Sequence, residues 1–398
     1  MFNIRPITIL GVEVKLDMLF KGSKQYYGWM AILLLLISSG FYAYYLQLSE
    51  GFIVTGSRNV VSWSLYIINF IFFVGLAAGG LIVASSVELF GVKKLEPLLK
   101  VGVIQAFVCA VTAMAFVTAD LGHPERFYRF FITPNSSSMM FFDFMILGGY
   151  TALSGVDLYA LLTKRMRWLF PLAVVSLPAA ISVHSVTGWV FGLVKSRPSW
   201  FSAIMAPLFI SSAITSGLAL LIIITLVLPK YTNIKFRDPH AIVMTLRKAL
   251  SIAIPVDLFF LFNEILITVW PYAQKPEHHL GIHFIQHGPY AFSLYGEILL
   301  SAVIPFIIVL HPRTKNSIKW IAAASVFVVV GIFLKRIFLI MVGMSISPLG
   351  ELVVYIPTVL EINVVVGFWA MAVLMFTVMI RIFNMDPVEH QVTAEFSE

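Results

Sequence analysis

The chain has 398 residues, of which 59% are hydrophobic and 12% are charged, and its net charge is +7. A soluble domain is about half apolar or less, so this composition excludes a soluble globular protein and indicates a polytopic membrane protein. The basic residues are scattered over loops, and a nucleic-acid-binding surface is therefore not expected.

Ten apolar runs are long enough to cross a bilayer, which takes roughly 20 helical residues. They lack the alternation of barrel strands, so they predict an all-α integral membrane protein. A small-residue run in helix two, GLAAGG, is echoed by SSAITSGLA in helix six. This echo favours two four-helix bundles, helices 2–5 and 6–9, flanked by helices 1 and 10. The runs lie at about 27–48, 62–86, 98–119, 138–162, 168–194, 203–228, 248–272, 290–310, 318–343 and 355–383.

Lysine and arginine residues predict the orientation of the chain. Nineteen of them lie on the side that bears the N-terminus, whereas six lie in the opposite loops. Because positively charged loops stay in the cytoplasm, we expect a multi-pass protein of the cytoplasmic membrane with both termini cytoplasmic. Residues 1–26 then form a cytoplasmic segment and 384–398 a cytoplasmic tail. Between them, 27–383 form the membrane domain, with bundles at about 62–195 and 203–343.

Helix two carries Trp63, Tyr66 and Asn69 at a spacing of three, which predicts that they share one face near the outer leaflet. Aromatic residues at this depth are often anchors at the membrane interface. A buried amide such as that of Asn69 needs a hydrogen-bonding partner. The sequence thus allows either a row of interface anchors or a face that binds a ligand.

After helix three, on the outer side, comes the turn ADLGHPERFYRFF, residues 119–131. Such a density of charges at a membrane edge is typical of recognition or of proton handling. The alternative is a solvated loop in which Asp120 and Arg126 pair and cap helix ends. The ionisable residues of the turn are Asp120, His123, Glu125, Arg126 and Arg129.

Helices four and five carry ionisable residues inside apolar runs. Asp143 and Asp157 of helix four should face the bundle interior, as parts of a proton path or as partners of Arg or Lys. Helix five contains SVHSVTGWVFG, in which His184 lies beside the hydroxyls of Ser185 and Thr187. A lone buried histidine is often a satisfied core residue, but the cost of placing it in lipid favours a role in proton transfer.

The second half of the chain carries further charges. Asp257 and Glu264 lie in helix seven. The basic pair of helix nine, Lys335 and Arg336, is expected to face an acid. That acid is Glu264, or Glu361 of helix ten. The loop after helix seven would suit a transition metal if it were helical, but a solvated loop is the favoured interpretation. Its histidines are His278, His279, His283 and His287.

Several chemistries are excluded by what the sequence lacks. The single cysteine, Cys109, cannot hold an iron–sulfur cluster, which takes about four cysteines. Bis-histidine haem ligation needs pairs of histidines at membrane depth, where only His184 lies, and no phosphate-binding motif is present. Three classes survive: a secondary transporter, an integral subunit that binds a lipid-soluble redox carrier, and a purely structural membrane anchor.

Three motifs resemble the NrfD-like family, the membrane subunits of polysulfide reductases: ADLGHPERFYRFF, SVHSVTGWVFG and SRPSWFSAIMAPLFISSAITSGLALL. Within that family the chain is most similar to membrane subunits of sulfite-reductase-associated complexes. The resemblance implies a subunit that oxidises menaquinol, or reduces menaquinone, near the outer face of the first bundle. It also implies an extracytoplasmic ferredoxin-like iron–sulfur partner, cytochrome b, cytochrome c and cytoplasmic iron–sulfur partners. The chain itself is expected to hold no metal, haem or cluster.

A quinol loses two protons as its electrons leave, so a quinol pocket needs a proton acceptor near each oxygen. We expect His184 to bind one oxygen and to take its proton. Asp120 or His123 is expected to act at the other oxygen. The side chains expected around the quinone are Trp63, Tyr66, Asn69, Ser185, Trp189 and Arg126. The residues expected in a proton path are Asp143, Asp157 and Glu264.

Two further expectations concern the same pocket. Arg126 is expected to hold Asp120 or Glu125 in place through charge-assisted hydrogen bonds. Related sequences often have an acidic residue directly after the aromatic residue of the helix-five motif, whereas this chain has Val190 after Trp189. That departure weighs against a proton route across the whole membrane, and hence against energy conservation by pumping.

Overall fold

The computed structural model describes residues 7–197, 199–232, 234, 236–273, 285–345 and 352–383. Within these residues, ten helices are long and apolar enough to cross a membrane, which confirms the all-α integral membrane class. The predicted tail at 384–398 lies outside the described residues. The helices are α1 (Lys24–Glu50), α2 (Leu65–Glu88), α3 (Leu99–Asp120), α4 (Met139–Leu162), α5 (Met166–Gly192), α6 (Met205–Tyr231), α7 (Pro239–Ala273), α8 (Ala291–Leu310), α9 (Ile318–Ser345) and α10 (Val359–Ile382).

Some helix ends follow local caps rather than the ends of the apolar runs. α10 begins after Thr358, whose hydroxyl accepts the Glu361 N–H at 3.3 Å while the Glu361 carboxylate accepts the Thr358 N–H at 2.8 Å. This reciprocal pair is a capping box. α7 begins at Pro239, before its apolar run, because the Asp238 carboxylate accepts the Ala241 N–H at 2.8 Å and proline suits the first helical position.

The ten helices pack as two closed bundles and a flanking pair. In the first bundle, α2, α3, α4 and α5 each contact the next helix, and α5 closes the ring on α2. In the second bundle, α6, α7, α8 and α9 contact one another in the same order, and α9 closes the ring on α6. α1 packs along α10, and α10 lies against α3. This packing agrees with the two-bundle arrangement expected from the sequence.

The two bundles meet where α2 crosses α6. A Cβ atom on Gly79 would lie 2.7 Å from the carbonyl oxygen of Gly217, and one on Gly217 would lie 2.5 Å from the backbone nitrogen of Gly79. Side chains do not fit at these distances, so the two backbones approach because both positions lack a Cβ. The small-residue runs that echo each other in the sequence therefore form the contact between the bundles.

The N-terminal segment contains a short antiparallel hairpin, β1 (Ile7–Ile9) and β2 (Val12–Val14). The alternation of apolar and polar residues in this part of the sequence corresponds to the two strands. The Lys15 N–H donates to the Ile382 carbonyl at 2.8 Å, and Phe383 forms a β-bridge with β2. The hairpin therefore lies against the end of α10, on the side of the protein where α1 begins.

The contact between α2 and α6 can be tested with Gly217→Ala. Alanine normally favours a helix over glycine by roughly 0.5–1 kcal/mol, but an added methyl group here would overpack the contact at a typical cost of about 1–3 kcal/mol. We expect a lower melting temperature for the detergent-solubilised protein. Gly149→Ala is the matched control, because no atom lies within 4 Å of its Cβ position, and its melting temperature should stay equal or rise. Equal values for the two variants would contradict the contact.

Candidate functional site

The first bundle encloses a cavity of about 100 Å³ between α2, α3, α4 and α5, at the end where α3 finishes and α4 begins. Two carboxyl side chains, Asp120 and Asp143, line it. Met140 also lines it and is 48% exposed, so the cavity reaches the side of the bundle that faces the membrane. The remaining lining is almost entirely apolar and includes Trp63, Ile67, Phe70, Phe127, Phe130 and Phe144.

The cavity face of α2 differs from the face expected from the sequence. Ile67 and Phe70 line the cavity together with Trp63, which precedes the helix. Tyr66 and Asn69 each lie one residue, about 100° of helical turn, from these positions and are not among the lining side chains. Tyr66 and Asn69 share a face of α2 as expected, but Trp63 precedes the helix, so the spacing rule does not extend to it.

Asp120 is the last residue of α3, and its Oδ1 atom is buried without a hydrogen-bond partner among the described residues. The neighbouring Ala119 carbonyl accepts a hydrogen bond from Gln47 Nε2 at 2.8 Å. Gln47 Oε1 in turn accepts the Tyr66 hydroxyl proton at 2.5 Å. Gln47 therefore ties α1, α2 and the end of α3 together beside Asp120, and the hydroxyl of Tyr66 is engaged in this link.

Asn69 joins α2 to α10. Its Oδ1 atom accepts the indole N–H of Trp369 at 2.7 Å, and its Nδ2 atom donates to the Leu65 carbonyl at 2.8 Å. Phe72 stacks on the same indole, with ring centroids 5.6 Å apart. The buried amide has thus found the partners that its burial requires, and they lie at α10 and not at the cavity.

Asp143 lies in the second turn of α4 and is almost fully buried. Its Oδ1 atom is 2.6 Å from the Thr187 hydroxyl of α5, and that hydroxyl is also 2.9 Å from the Val183 carbonyl. A threonine hydroxyl has one proton, so it can donate to only one of these acceptors at a time. Thr187 can therefore support the ionised form of Asp143, or donate to the backbone when Asp143 is protonated.

His184 lies one turn deeper in α5 than Thr187 and is 4% exposed. Its Nε2 atom is buried and has no hydrogen-bond partner within the described part of the chain. The side chain lies within electrostatic range of Arg336 of α9, and it is not among the side chains that line the first-bundle cavity. The structure therefore places His184 toward the second bundle rather than at the cavity wall.

The other predicted residues of α5 also lie away from the cavity. Ser185 donates to the Ile181 carbonyl at 2.8 Å, and Trp189 is 44% exposed. Val190 and Phe191, which follow directly, do line the cavity. Because successive residues of a helix point about 100° apart, α5 presents Val190 and Phe191 to the cavity, whereas Ser185 and Trp189 point away from it.

An aromatic wall connects the cavity to the second bundle. Trp63 stacks on Trp200, with ring centroids 5.7 Å apart and planes 21° from parallel. Phe191 meets Trp63 edge to face at 5.6 Å. The indole N–H of Trp200 donates to the Leu339 carbonyl of α9 at 2.7 Å. Trp63, whose position the helical spacing did not explain, is therefore held by a loop residue anchored on α9.

The charged turn after α3 is exposed. The His123 ring nitrogen Nδ1 lies 2.8 Å from a Glu125 carboxylate oxygen, and Arg126 Nε lies 3.9 Å from the same oxygen. A backbone hydrogen bond and the neighbouring His123 and Arg126 lower the pKa of Glu125 below its usual value. Of the two acids proposed as partners of Arg126, the structure brings Glu125 close, at ion-pair rather than hydrogen-bond distance.

Asp157 lies toward the opposite end of α4, roughly 21 Å from Asp143 at 1.5 Å per residue. Its carboxylate accepts the Ser176 hydroxyl proton at 2.8 Å. Between the two acids, Tyr150 and Ser154 each donate to a backbone carbonyl. The described side chains of α4 therefore do not form a continuous hydrogen-bonded line from Asp143 to Asp157.

In the second bundle, Lys335 pairs with an acid that the sequence did not single out as its partner. Its Nζ atom lies 3.0 and 3.1 Å from the two carboxylate oxygens of Asp257 and 3.5 Å from Glu297. The expectation that Glu361 balances this charge is wrong, because Glu361 accepts hydrogen bonds from Gly56, Tyr355 and Thr358 near the start of α10. Glu264, the other expected acid, lines a cavity of the second bundle together with Lys335 and Arg336.

Three residues matter more than the sequence suggested, namely Gln47, Thr187 and Glu297. The signal for Gln47 was an amide in an otherwise apolar run, since a buried amide needs a partner.

The described residues contain no group of three or more His, Cys, Asp or Glu side chains placed to hold a metal. His278, His279 and His283 lie outside the described residues. Of the four histidines in the loop after helix seven, His287 is the one that lies within the described residues.

Comparisons with known proteins agree with the geometry of a membrane subunit. The protein-family profile described as "Polysulphide reductase, NrfD" matches residues 53–348. A putative membrane subunit of dimethyl sulfoxide reductase from Halobacterium salinarum is 33% identical, over 79% of this chain and 77% of its own. An Hdr-like menaquinol oxidoreductase integral membrane subunit of Archaeoglobus fulgidus is 28% identical, over 92% of this chain and 95% of its own. A selenate reductase subunit of Mesobacillus selenatarsenatis is 24% identical, over 88% and 93%.

The link through Gln47 can be tested with a double-mutant cycle. Gln47→Leu leaves the buried Tyr66 hydroxyl without its acceptor, and an unsatisfied buried group costs about 1–3 kcal/mol. We expect Gln47→Leu to lower the melting temperature of the solubilised protein by several degrees. Tyr66→Phe added to Gln47→Leu removes the stranded hydroxyl and should recover part of the loss. Strictly additive effects of the two substitutions would contradict the hydrogen bond.

Proposed function

We propose that this chain, which belongs to the NrfD family of polysulphide reductase membrane subunits, is the quinone-reactive subunit of a membrane-bound redox complex. The observation that carries the proposal is the outer cavity of the first bundle, where two carboxyl groups, the half-buried Asp120 and the buried Asp143, line an otherwise apolar and aromatic space. Apolar walls suit a lipid-soluble ring, and a few convergent polar groups suit its oxygens.

The two carboxyl groups match the proton chemistry of quinol oxidation. A quinol gives up two electrons and two protons, and each proton needs an acceptor within hydrogen-bond reach. Asp120 has a buried carboxylate oxygen without a partner among the described residues. Asp143 shares the single hydroxyl proton of Thr187 with a backbone carbonyl. We assign Asp120 to one oxygen and Asp143 to the other, with menaquinol or menaquinone as the substrate.

This assignment changes the role proposed for His184. The histidine lies behind Thr187 and not at the cavity wall. Burial and the nearby guanidinium of Arg336 both disfavour a charged imidazolium, so we do not assign His184 as an acceptor of a quinol proton. The exposed His123 and its partner Glu125 are proposed to carry the proton of Asp120 toward the outer solution.

Entry of a ring requires movement at the rim of the cavity. The space of about 100 Å³ is smaller than the 300–1,000 Å³ typical of ligand pockets. Phe127 and Phe130 line it from the turn after α3, and the half-exposed Met140 lines it from α4. These side chains form the part of the wall that can move without disturbing a helix contact, so we place the entrance between the turn and α4.

Electrons from this site must leave for groups in other chains. The proposal includes an extracytoplasmic ferredoxin-like iron–sulfur subunit against the outer face, beside the charged turn. The named activities of the relatives support this division of labour, because similar membrane subunits serve dimethyl sulfoxide, selenate and menaquinol enzymes. The terminal substrate is therefore a property of the partner chains.

Within the family we propose a DsrP-like subunit of a sulfite-reductase-associated complex. Its partners would be a DsrO-like ferredoxin subunit, DsrM-like cytochrome b, DsrJ-like cytochrome c and DsrK-like cytoplasmic iron–sulfur subunits. The full-length similarity to the menaquinol oxidoreductase subunit of Archaeoglobus fulgidus supports this type. Purification of the native complex and identification of its subunits by mass spectrometry would test it, and a complex with a molybdenum reductase in place of these partners would reject it.

The carboxyl assignment predicts different effects for two buried aspartates of the same helix. Asp143→Asn should lower the rate at which menaquinol reduces the iron–sulfur clusters of the complex by at least about 100-fold, the lower end of a general acid–base contribution. Asp157→Asn is the matched control, because the same substitution is made roughly 21 Å away, and its rate should stay within about twofold. Anaerobic stopped-flow absorbance of the clusters gives both rates.

Equal rates for Asp143→Asn and the unaltered complex would refute the role of Asp143. A large loss for Asp157→Asn alone would move the site to the other end of α4. Solute uptake by the purified chain in liposomes, without any redox partner, would instead support a secondary transporter. A change in complex assembly without a change in turnover would support a structural anchor.

The proposed orientation also has a direct test. Ser137 lies in the exposed loop before α4, and Lys94 lies in the exposed segment before α3. Each is replaced by cysteine in turn, as Ser137→Cys and Lys94→Cys. The native Cys109 is buried and adds little background. In intact cells, a membrane-impermeant maleimide should label Ser137→Cys and should label Lys94→Cys only after permeabilisation. The reverse pattern would place both termini outside and the cavity on the cytoplasmic side.

A further inference from the structure

The second bundle holds a compact cluster of five ionisable side chains, all between 0 and 9% exposed. Three are acids and two are bases, and they come from three helices. α7 contributes two acids, α8 contributes one acid, and α9 contributes both bases. The members are Asp257, Glu264, Glu297, Lys335 and Arg336.

Asp257 is the acid that neutralises Lys335. Both of its oxygens lie within hydrogen-bond distance of the ammonium group, at 3.0 and 3.1 Å. Its Oδ1 atom also accepts the Ser211 hydroxyl proton at 2.8 Å. A carboxylate with a cation and a hydroxyl donor is well supported in its ionised form, so Asp257 is not the member of the cluster that needs a proton.

The two glutamates lack comparable support. Neither oxygen of Glu297 has a hydrogen-bond partner among the described residues, although one lies 3.5 Å from Lys335. Glu264 has one oxygen, Oε2, without a partner within the same residues. The guanidinium of Arg336 donates to the Ser212 hydroxyl, and its Nε and Nη1 atoms find no acceptor in the described chain.

The glutamates face a common space. Glu264 and Glu297 line a cavity of about 50 Å³ together with Lys335 and Arg336. A cavity needs roughly 10–15 Å³ to hold one water molecule, and the water needs polar partners, both of which this cavity provides. Ser199, from the loop between α5 and α6, also lines it, so the cavity lies near the outer face.

The charge balance of the cluster decides how many protons Glu264 and Glu297 hold. Three ionised acids and two bases would leave one uncompensated negative charge in the membrane interior, where such a charge is very costly and is normally removed by a proton. Among the described residues, no other ionisable side chain lines this cavity. His184 and Arg197 are not among the lining side chains, and Arg197 donates to the Gly343 and Met344 carbonyls of α9.

We propose that Glu264 and Glu297 together retain one proton at the cavity of the second bundle, which makes this pair a buried proton-binding site. The ligands of the site are a proton and the water of the cavity. The pair titrates as a unit, because two carboxyl groups at one space share a proton rather than ionise together. The site is separate from the first-bundle cavity, and its action does not require the redox function proposed above.

The test is infrared spectroscopy of the purified full-length chain with the partners that remain bound. A protonated carboxyl group has a carbonyl stretching band that a carboxylate lacks. Glu264→Gln and Glu297→Gln each leave two acids facing two bases, so the remaining glutamate should ionise. We therefore expect each single substitution to abolish one protonated-carboxyl band in the difference spectrum against the unaltered protein, and this band should shift in deuterated water. Glu125→Gln, in the exposed turn, should abolish none.

Loss of the band in only one of the two single variants would overturn the shared proton, and loss in neither would overturn the site.

A second measurement uses the unaltered chain, so its result does not depend on whether the variants fold. Dicyclohexylcarbodiimide adds to a protonated carboxyl group in an apolar environment and rearranges to a stable N-acylurea. Peptide mass mapping should find this adduct on Glu264 or Glu297. An adduct on Asp257, or none on any of the three acids, would also overturn the proposal.

Discussion

The backbone contact between α2 and α6 is the constraint on which the rest of the structure depends. Gly79 and Gly217 let the two helices approach closely, and α2 thereby becomes a shared inner helix that also contacts α3, α5, α9 and α10. The same run of small residues leaves room for a long side chain, since Arg336 reaches from α9 to within 3.6 Å of the position of a Cβ on Gly75. One helix crossing thus brings the interiors of both bundles close to each other.

The two bundles use buried acids in different ways. The first-bundle cavity has two carboxyl groups and no cation among its lining residues, so its acids can change protonation state without breaking an ion pair. The second bundle pairs its acids with Lys335 and places Arg336 at the same cavity, which favours a fixed total charge. The first arrangement suits proton release from a substrate, whereas the second suits storage of a single proton. His184 lies between them, within range of Arg336.

Positioning of the first-bundle cavity depends on residues that do not line it. Gln47 of α1 holds the end of α3 next to Asp120, and Asn69 holds α2 against Trp369 of α10. Trp63 is fixed through Trp200, whose indole is bound to α9. The flanking pair and the second bundle therefore both support the shape of a cavity that belongs to the first bundle.

The sequence by itself determined the ten helices, the two bundles, and an acid at the C-terminal end of α3, because apolar length, small-residue runs and charge density act locally along the chain. It also pointed to Asp143, since an acid in an apolar run must face the interior. Only the tertiary structure decided which side of α2 meets the cavity, that Asn69 bonds Trp369 at a separation of 300 residues, and that Lys335 pairs with Asp257. Spacing gives the relative angles of residues within one helix, but the rotation of that helix and the partner of each polar group follow from how all ten helices pack.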